Sequence, residues 1–231
     1  MTVGTEVEPW AAAPYAFRPA KRIQRLMVFD ALRLLRTFHR LEDYVYIGFG
    51  SWEFVDFRLI RRELGVRQMI SIERNTRAKA RYAFNRPFAD VDLYFGVSSE
   101  VLAQLDLDKP TIAWMDYVSK VDGTVLADVR LLCEELPAGS TVLVTVNARP
   151  DKIDHRRDAL AGRIGEDLIP PGTGEDELGG IGLSGIQRQV LHQEAVRAAQ
   201  QRHVRVDVEQ ILHIRYRDGA PMLTWGIVLS R

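Results

Sequence analysis

Residues 41–75 read LEDYVYIGFGSWEFVDFRLIRRELGVRQMISIERN, and this stretch decides the fold. An apolar run at 44–47 breaks into a glycine turn at 48–51. Apolar residues then recur at three- and four-residue steps over 54–64, which predicts a helix that the following glycine ends. A second apolar run ends on Glu73. The order strand, glycine turn, helix and strand predicts one βαβ unit.

The glycine turn and Glu73 together have the pattern of a nucleotide site. Gly48 and Gly50 are expected to let a ligand approach the backbone, because a Cβ there would block it. Ser51 is a good N-cap, so the helix is expected to begin beside it. Glu73 ends the next strand, where a carboxylate can accept hydrogen bonds from both hydroxyls of a ribose. The alternative interpretation is a tight turn followed by an ordinary solvated glutamate.

This stretch resembles the cofactor-binding half of class I S-adenosylmethionine-dependent methyltransferases. The resemblance implies a Rossmann-like α/β fold, a three-layer sandwich, with S-adenosylmethionine as the cofactor. It implies that the methionine part of the cofactor lies over the glycine turn and that the ribose lies at Glu73, next to Arg74. The turn residues concerned are Gly48, Phe49, Gly50 and Ser51. A phosphate-binding P-loop is disfavoured, because no Gly-Lys-Ser or Gly-Lys-Thr follows the glycines.

Two later strands are expected to end at the same edge of the sheet. The strand 91–95 is followed by Gly96, Val97 and Ser98, which the resemblance implies along the adenine. The strand 111–117 ends on Asp116, which faces the crevice where such sheets bind ligands and is predicted to be catalytic. The resemblance implies that Asp116 also binds the cofactor. Tyr117, the second predicted catalytic residue, is expected to stack on the substrate or cofactor. The alternatives are a helix-capping carboxylate and a half-buried rim aromatic. A divalent ion at Asp116 and Asp151 would have few ligands, so no metal site is predicted.

The last third of the chain predicts how the sheet ends. Its expected elements are a helix at 124–136, a strand at 141–146, a helix at 186–202 and strands at 204–217 and 222–229, which Asp218-Gly219 joins as a hairpin. The resemblance implies that the last strand inserts between the fifth and sixth. The sequence therefore predicts a mostly parallel seven-stranded sheet with a C-terminal antiparallel hairpin.

One domain, 20–231, is predicted, preceded by an N-terminal arm at 1–19. Within it, residues 147–185 contain eight glycines and three prolines, which predict an inserted loop without a long element. Because this loop directly follows the fifth strand, we interpret it as a lid or substrate-recognition element. A floppy insertion is the alternative.

Residues 20–40 predict a helix that precedes the first strand. Its predicted apolar stripe comprises Ile23, Leu26, Met27, Ala31, Leu34 and Leu35. Between Arg18 and Arg40 there are seven Lys or Arg and one acid, Asp30. Such a helix either binds phosphate groups or presents the solvated side of a packed helix.

Composition narrows the function classes. The chain has 31 basic and 31 acidic residues, so no overall charge attracts nucleic acid or an anionic membrane. No apolar run approaches the roughly 20 residues that span a bilayer. The single Cys133 excludes an intrachain disulfide and a cysteine zinc cluster. The first residues have no pattern of a secretion signal, so a cytoplasmic location is expected.

Three function classes follow from these observations. The favoured one is a methyltransferase that methylates an oxygen of a small or medium-sized molecule, without a nucleic-acid or membrane partner. The second is a cofactor-binding module without transferase activity, because Tyr46 stands where the family usually has an acid. The third is a nucleic-acid-modifying enzyme that uses the basic residues of 18–40 and 152–157. The oligomeric state is left open, with a homodimer among the alternatives.

Overall fold

The computed structural model describes residues 18–231, and a seven-stranded sheet forms its centre. The strands are β1 Val45–Gly48, β2 Gln68–Glu73, β3 Val91–Phe95, β4 Thr111–Asp116, β5 Thr141–Asn147, β6 Asp207–Asp218 and β7 Ala220–Ser230. Their order is β3-β2-β1-β4-β5-β7-β6. The first five strands are parallel, while β7 runs antiparallel to both β5 and β6. The predicted sheet and its inserted last strand are confirmed.

Helices cover both faces of this sheet, which confirms the three-layer sandwich. They are α1 Pro19–Leu32, α2 Val55–Leu64, α3 Lys79–Asn85, α4 Ser98–Leu102, α5 Gly123–Glu135, α6 Arg156–Ile164 and α7 Gly182–Gln200. Buried side chains of α1, α2 and α3 form one core with the first face. Those of α4, α5, α6 and α7 form a second core on the opposite face. Within residues 18–231, no helix is both long and apolar enough to cross a membrane.

The register of the parallel strands aligns their carboxyl ends. Gly48, the last residue of β1, is in register with Ser71 of β2 and Trp114 of β4. Glu73 ends β2 in register with Phe95, the last residue of β3. The glycine turn and the predicted site residues of the next strands therefore lie along one edge, which we call the carboxyl edge.

The predicted apolar stripe of the first helix is wrong at four of its six residues, while Leu35 is buried and Ala31 packs against the core. Ile23, Leu26, Met27 and Leu34 point to solvent, with exposed fractions between 48% for Met27 and 63% for Leu34. The buried face of α1 instead carries Lys21, Gln24, Arg25, Val28, Phe29 and Leu32. The helix also ends at Leu32 and continues as a 3-10 turn over Arg33–Thr37.

The first two turns of α1 bury polar side chains because acids on neighbouring elements face them. Lys21 Nζ donates to Asp116 Oδ2 at 2.6 Å and to the Tyr216 hydroxyl at 3.2 Å. Arg25 binds Asp56 of α2 through two hydrogen bonds of 2.6 and 3.3 Å. Buried charges persist when they are paired and hydrogen-bonded, so these contacts explain the orientation of the helix.

Residues 147–185 are more ordered than the predicted loop. They contain α6 and 3-10 turns at Ile153–His155 and Glu166–Leu168, and α7 begins at Gly182, before the predicted residue 186. The backbone N–H groups of Arg156 and Arg157 donate to the Glu175 carboxylate at 2.9 and 3.2 Å. Local helical propensity and these contacts compensate for the many glycines. The role of this segment as a lid stays a prediction. The predicted arm, 1–19, lies almost wholly outside the described residues.

Removing Arg25 should reveal the cost of an unpaired buried acid. Arg25→Met leaves the Asp56 carboxylate buried without its main cation, so the free energy of unfolding should fall by about 3–5 kcal/mol. Adding Asp56→Leu should restore most of that loss, because an apolar pair tolerates burial. Urea denaturation measures both. Arg22→Met, at an exposed position of the same helix, should change the value by less than about 0.5 kcal/mol. Equal losses in the single and double variants would contradict this account.

Candidate active site at the carboxyl edge

The turn after β1 adopts an unusual backbone. Ser51 and Phe54 have φ angles of 52° and 49°, a left-handed conformation that is rare outside glycine. The helix α2 begins at Val55, and Phe54 is its N-cap residue. Ser51 is therefore not the N-cap, and that prediction is wrong. The extra residues form a turn that the Phe54 N–H closes on the Gly50 carbonyl at 2.9 Å.

Both glycines of the turn are required by the protein's own packing. A Cβ on Gly50 would lie 2.3 Å from Phe54 Cε1 and 2.6 Å from Ser71 Oγ. A Cβ on Gly48 would lie 2.7 Å from the Tyr46 hydroxyl and 3.0 Å from the Trp114 carbonyl oxygen. A ligand was expected to lie where these Cβ atoms would be. In the structure, side chains and backbone of the protein itself occupy that space.

Glu73 connects the turn to β2. Its Oε1 accepts hydrogen bonds from the Gly50 N–H at 2.7 Å and from the Ser71 hydroxyl at 2.6 Å. The side chain is buried, and burial raises the pKa of Glu73 to about 7, although these hydrogen bonds oppose the shift. A carboxyl group with this pKa changes its protonation near neutral pH. The predicted acid is thus in the expected place and is not an ordinary solvated glutamate.

Aromatic and basic side chains surround the outer end of the turn. The Trp52 ring stacks on Tyr82 of α3 at 4.8 Å between centroids, and the Arg81 guanidinium lies 4.0 Å from the Trp52 centroid. Arg74, the predicted neighbour of Glu73, is exposed at this edge. The sequence analysis did not consider Trp52, although it lies only two residues after Gly50.

A cluster on the second face joins the ends of β3 and β4. The Tyr117 hydroxyl donates to Asp128 Oδ2 of α5 at 2.5 Å, and the Ser98 hydroxyl donates to the same oxygen. The Tyr117 ring stands edge-on to Phe49 of the glycine turn, with centroids 5.2 Å apart. Asp128, which the sequence analysis did not name, thereby joins two predicted residues, Ser98 and Tyr117, and the ring contact adds Phe49. The signal was an aspartate on the apolar face of its helix, beside Val125 and Val129.

Asp116 lies apart from this cluster. Consecutive residues of a strand point to opposite faces, so Asp116 faces α1 and pairs with Lys21 while Tyr117 faces α5. Burial raises the pKa of Asp116, and the Lys21 ammonium opposes this shift. Of the remaining predicted residues, Gly96 donates its N–H to the Glu73 carbonyl at 3.1 Å, and Val97 is exposed.

Asp116 and Asp151, the two acids nearest to a possible divalent-ion site in the sequence, form ion pairs within the fold. Asp151 accepts ion pairs from Lys120 at 2.5 Å and from Arg163 at 2.8 Å. These two cations lower the pKa of Asp151 despite partial burial, which raises it. Over residues 18–231, no group of three or more His, Cys, Asp or Glu could hold a metal ion.

One surface hollow is remote from this chemistry. It is lined by residues such as Arg36, Glu42 and Arg67, which precede β1 and β2. It therefore lies at the amino ends of these strands. Ligands of open α/β sheets bind outside the carboxyl ends, so the carboxyl edge is the better candidate.

Comparison with known proteins identifies the family. A family model described as "Putative O-methyltransferase" matches residues 13–231. The chain belongs to this family. The match confirms the resemblance to methyltransferases and includes residues 147–185. A search of curated proteins gives no match.

Solved structures support the same fold at low sequence identity. One is a complex of the Haloferax volcanii Trm112 methyltransferase activator with a "putative methyltransferase", with a TM-score of 0.53, 11% identity and full coverage of both chains. Another is Pyrococcus horikoshii Trm1 with S-adenosyl-L-methionine, with a TM-score of 0.58 and 12% identity over 90% of this chain. The chain spans only 55% of that protein's length. A sarcosine dimethylglycine methyltransferase candidate from Galdieria sulphuraria has a TM-score of 0.52 and 11% identity, covering 90% of this chain and 86% of the other.

A methyl group at Gly50 should destabilise the protein even without a ligand. In Gly50→Ala the new Cβ meets the Phe54 ring, so the free energy of unfolding should fall by about 1–3 kcal/mol. Thermal denaturation without ligand measures this loss. Gly162→Ala in α6, where a Cβ meets no atom within 4 Å, should leave stability unchanged or slightly raised. An unchanged melting temperature for Gly50→Ala would mean that ligand approach, and not packing, requires this glycine.

Proposed function

We propose that this protein transfers a methyl group from S-adenosylmethionine to an oxygen atom of a small or medium-sized molecule. The observation that carries the proposal is the buried carboxylate of Glu73, hydrogen-bonded to the glycine turn at the carboxyl edge. The family description supports an oxygen acceptor, and the Pyrococcus horikoshii complex supports this cofactor for the fold.

The side chains at the carboxyl edge fit such a cofactor. Its ribose offers two hydroxyl donors, and Glu73 is an acceptor at the end of β2. Asp128 adds a buried carboxylate whose Oδ1 has no hydrogen-bond partner within residues 18–231. A Cβ on Gly96 would meet only Val101, so the backbone there is accessible. When bound, the cofactor supplies a methyl group on a cationic sulfur.

For the acceptor, the proposal uses the end of β4 and the segment 147–185. Asp116 has a raised pKa, so it can accept a hydrogen bond or a proton from an acceptor hydroxyl while Lys21 holds its other side. Tyr117 orients the acceptor. The segment 147–185 follows β5, beside β4, and excludes water from the same edge. Positioning and water exclusion provide most of the catalysis in such a displacement.

The replacement of the usual acid by Tyr46 does not require a loss of activity. Tyr46 is buried, and its ring packs edge-on against Phe57 with centroids 4.9 Å apart. Burial raises the pKa of Tyr46 well above its ordinary value, and the nearby Asp56 and Asp116 raise it further, so the phenol stays neutral. Two buried acids already face Lys21 and Arg25 here, and a third acid would add an uncompensated charge. Tyrosine is therefore a consequence of local charge balance.

Cofactor affinity should depend on pH through Glu73. The free carboxyl protonates as the pH falls through about 7, and the protonated acid cannot accept from both ribose hydroxyls. The affinity for S-adenosylhomocysteine should therefore weaken by up to about tenfold per pH unit below 7. Glu73→Gln should bind weakly and without this pH dependence. Calorimetry between pH 5.5 and 8 measures both proteins, with Glu135→Gln, at an exposed position of α5, as the matched control.

The reaction itself has a direct test. Supplied with isotopically labelled S-adenosylmethionine and a panel of hydroxylated small molecules, the wild type should form labelled O-methyl products, and Asp116→Asn should not. Wild-type affinity in Glu73→Gln, or label found only on nitrogen or carbon, would overturn the proposal.

A second candidate function, methylation of nucleic acid, is favoured by one basic stretch. Residues 74–86 contain five Lys or Arg and no acid. Arg81 contacts the Trp52 ring, and Lys79 contacts the Phe95 ring. Arg86 donates to a backbone carbonyl. None of these partners carries a negative charge, so these contacts do not neutralise the cations. Phe84 on the same helix is 89% exposed. Unneutralised cations beside exposed aromatic rings suit single-stranded nucleic acid.

The two basic clusters that the sequence suggested for nucleic acid, 18–40 and 152–157, suit it less well than residues 74–86. In 18–40, ion pairs to carboxylates engage Arg18, Lys21, Arg25 and Arg33. In 152–157, Arg157 pairs with Glu166 and Arg156 binds the Glu175 carbonyl. Those charges are therefore used within the fold.

Substitution of the basic stretch separates the two candidates. If nucleic acid is the acceptor, Arg74, Arg77 and Arg81 changed together to Gln should weaken binding of single-stranded RNA and reduce the log–log salt slope by about 2. The matched control changes Arg22, Arg36 and Arg67, which are exposed elsewhere. For a small-molecule enzyme we expect only weak RNA binding at physiological salt, equal in both variants, measured by fluorescence anisotropy.

A further inference from the structure

Residues 1–17 join the rest of the chain at the carboxyl edge. Arg18, which follows them, binds Asp218 in the β6–β7 turn at 2.9 Å. This turn lies at the carboxyl edge, because the start of β7 pairs with the end of β5. Three residues after Arg18, Lys21 binds Asp116 at the end of β4. The N-terminal segment is therefore tethered beside the candidate active site.

The basic stretch, residues 74–86, is a second feature of this edge. It follows β2, and its five Lys and Arg residues are all exposed. None of these five forms an ion pair with a carboxylate of the described chain. Phe84 of α3, in the same stretch, is 89% exposed. A surface that combines such cations with an exposed aromatic ring fits a partner that carries acids and aromatic rings.

The sequence of residues 1–17, MTVGTEVEPWAAAPYAF, has this composition. It contains two acids, Glu6 and Glu8, and no Lys, Arg or His. Three of its residues are aromatic, namely Trp10, Tyr15 and Phe17. Opposite charges steer two surfaces together and fix their register, and aromatic side chains bury large areas. The two segments are therefore complementary in charge and in apolar character.

The chain is long enough to connect the two places. In the strand order, five strand spacings separate β6 from β2, which amount to about 24 Å at roughly 4.8 Å each. Glu8 precedes Arg18 by ten residues, and an extended chain of that length spans about 33 Å. The direct course from the β6–β7 turn to the basic stretch passes the ends of β4 and β1. A segment on that course covers Asp116 and the glycine turn.

We propose that residues 1–17 form a cap that crosses the carboxyl edge and binds the basic stretch through Glu6 and Glu8. The docking follows from the two complementary segments alone. Its role rests on the proposed function, in which the cap excludes water from the methyl-transfer site and keeps the cations of 74–86 from nucleic acid.

Crosslinking of the full chain tests the docking. Cys133 is buried, so two introduced cysteines are the reactive thiols. Val7→Cys with Ala80→Cys places them beside the two acids and within the basic stretch, and removes no charge. In the matched control, Ala89→Cys replaces Ala80→Cys, because Ala89 is also exposed but precedes β3, at the amino ends of the strands. With a short bifunctional maleimide, the first pair should crosslink within one chain about three- to tenfold faster than the control pair.

The two acids should carry this difference. Glu6→Gln with Glu8→Gln, added to the first pair, should lower its crosslinking rate to nearly that of the control, and about 1 M salt should do the same. A rate that these two substitutions leave unchanged would overturn the inference, as would crosslinks that join two chains. Equal rates for the two pairs would also overturn it, and tight binding of single-stranded RNA in that case would assign the basic stretch to nucleic acid. If the crosslink forms as expected but the protein does not bind S-adenosylmethionine, the docking stands and the proposed function fails.

Discussion

The carboxyl edge depends on how the chain turns after β1, where Gly50, Phe54 and Glu73 meet. The Phe54 ring occupies the space that a Cβ on Gly50 would need, and the Gly50 N–H binds the Glu73 carboxylate at 2.7 Å. One turn thereby fixes the start of α2 and the side chain that ends β2. Because the strands are parallel and in register, fixing this turn also aligns the ends of β3 and β4 beside it.

The two faces of the sheet differ electrostatically at this edge. On the α1 face, Lys21 and Arg25 neutralise Asp116 and Asp56, and the neutral phenol of Tyr46 adds no charge. On the α5 face, the hydrogen bonds that Asp128 accepts within residues 18–231 come from the hydroxyls of Ser98 and Tyr117.

Some residues could be predicted from sequence because local pattern determines them. The positions of Glu73 and Tyr117 at one edge of the sheet could be predicted, since a strand ends where its apolar run ends and parallel strands end together. The contacts of Asp128 could not, because its partners Ser98 and Tyr117 lie elsewhere in the chain. Most of the predicted α1 stripe is exposed, because the prediction assumed that α1 packs against an apolar surface. Acids on β4 and α2 face this helix instead.

The sequence by itself determined the βαβ unit, the acid at its end and the antiparallel hairpin, because periodicity and turn residues act over a few neighbours. Only the tertiary structure decided that the glycines accommodate Phe54 and Tyr46, that Asp116 and Tyr117 serve opposite faces, and that most cations of 18–40 form ion pairs with acids. These outcomes depend on which charges meet across the sheet. Pairing of charges is a property of three-dimensional contact, and spacing along the chain does not encode it.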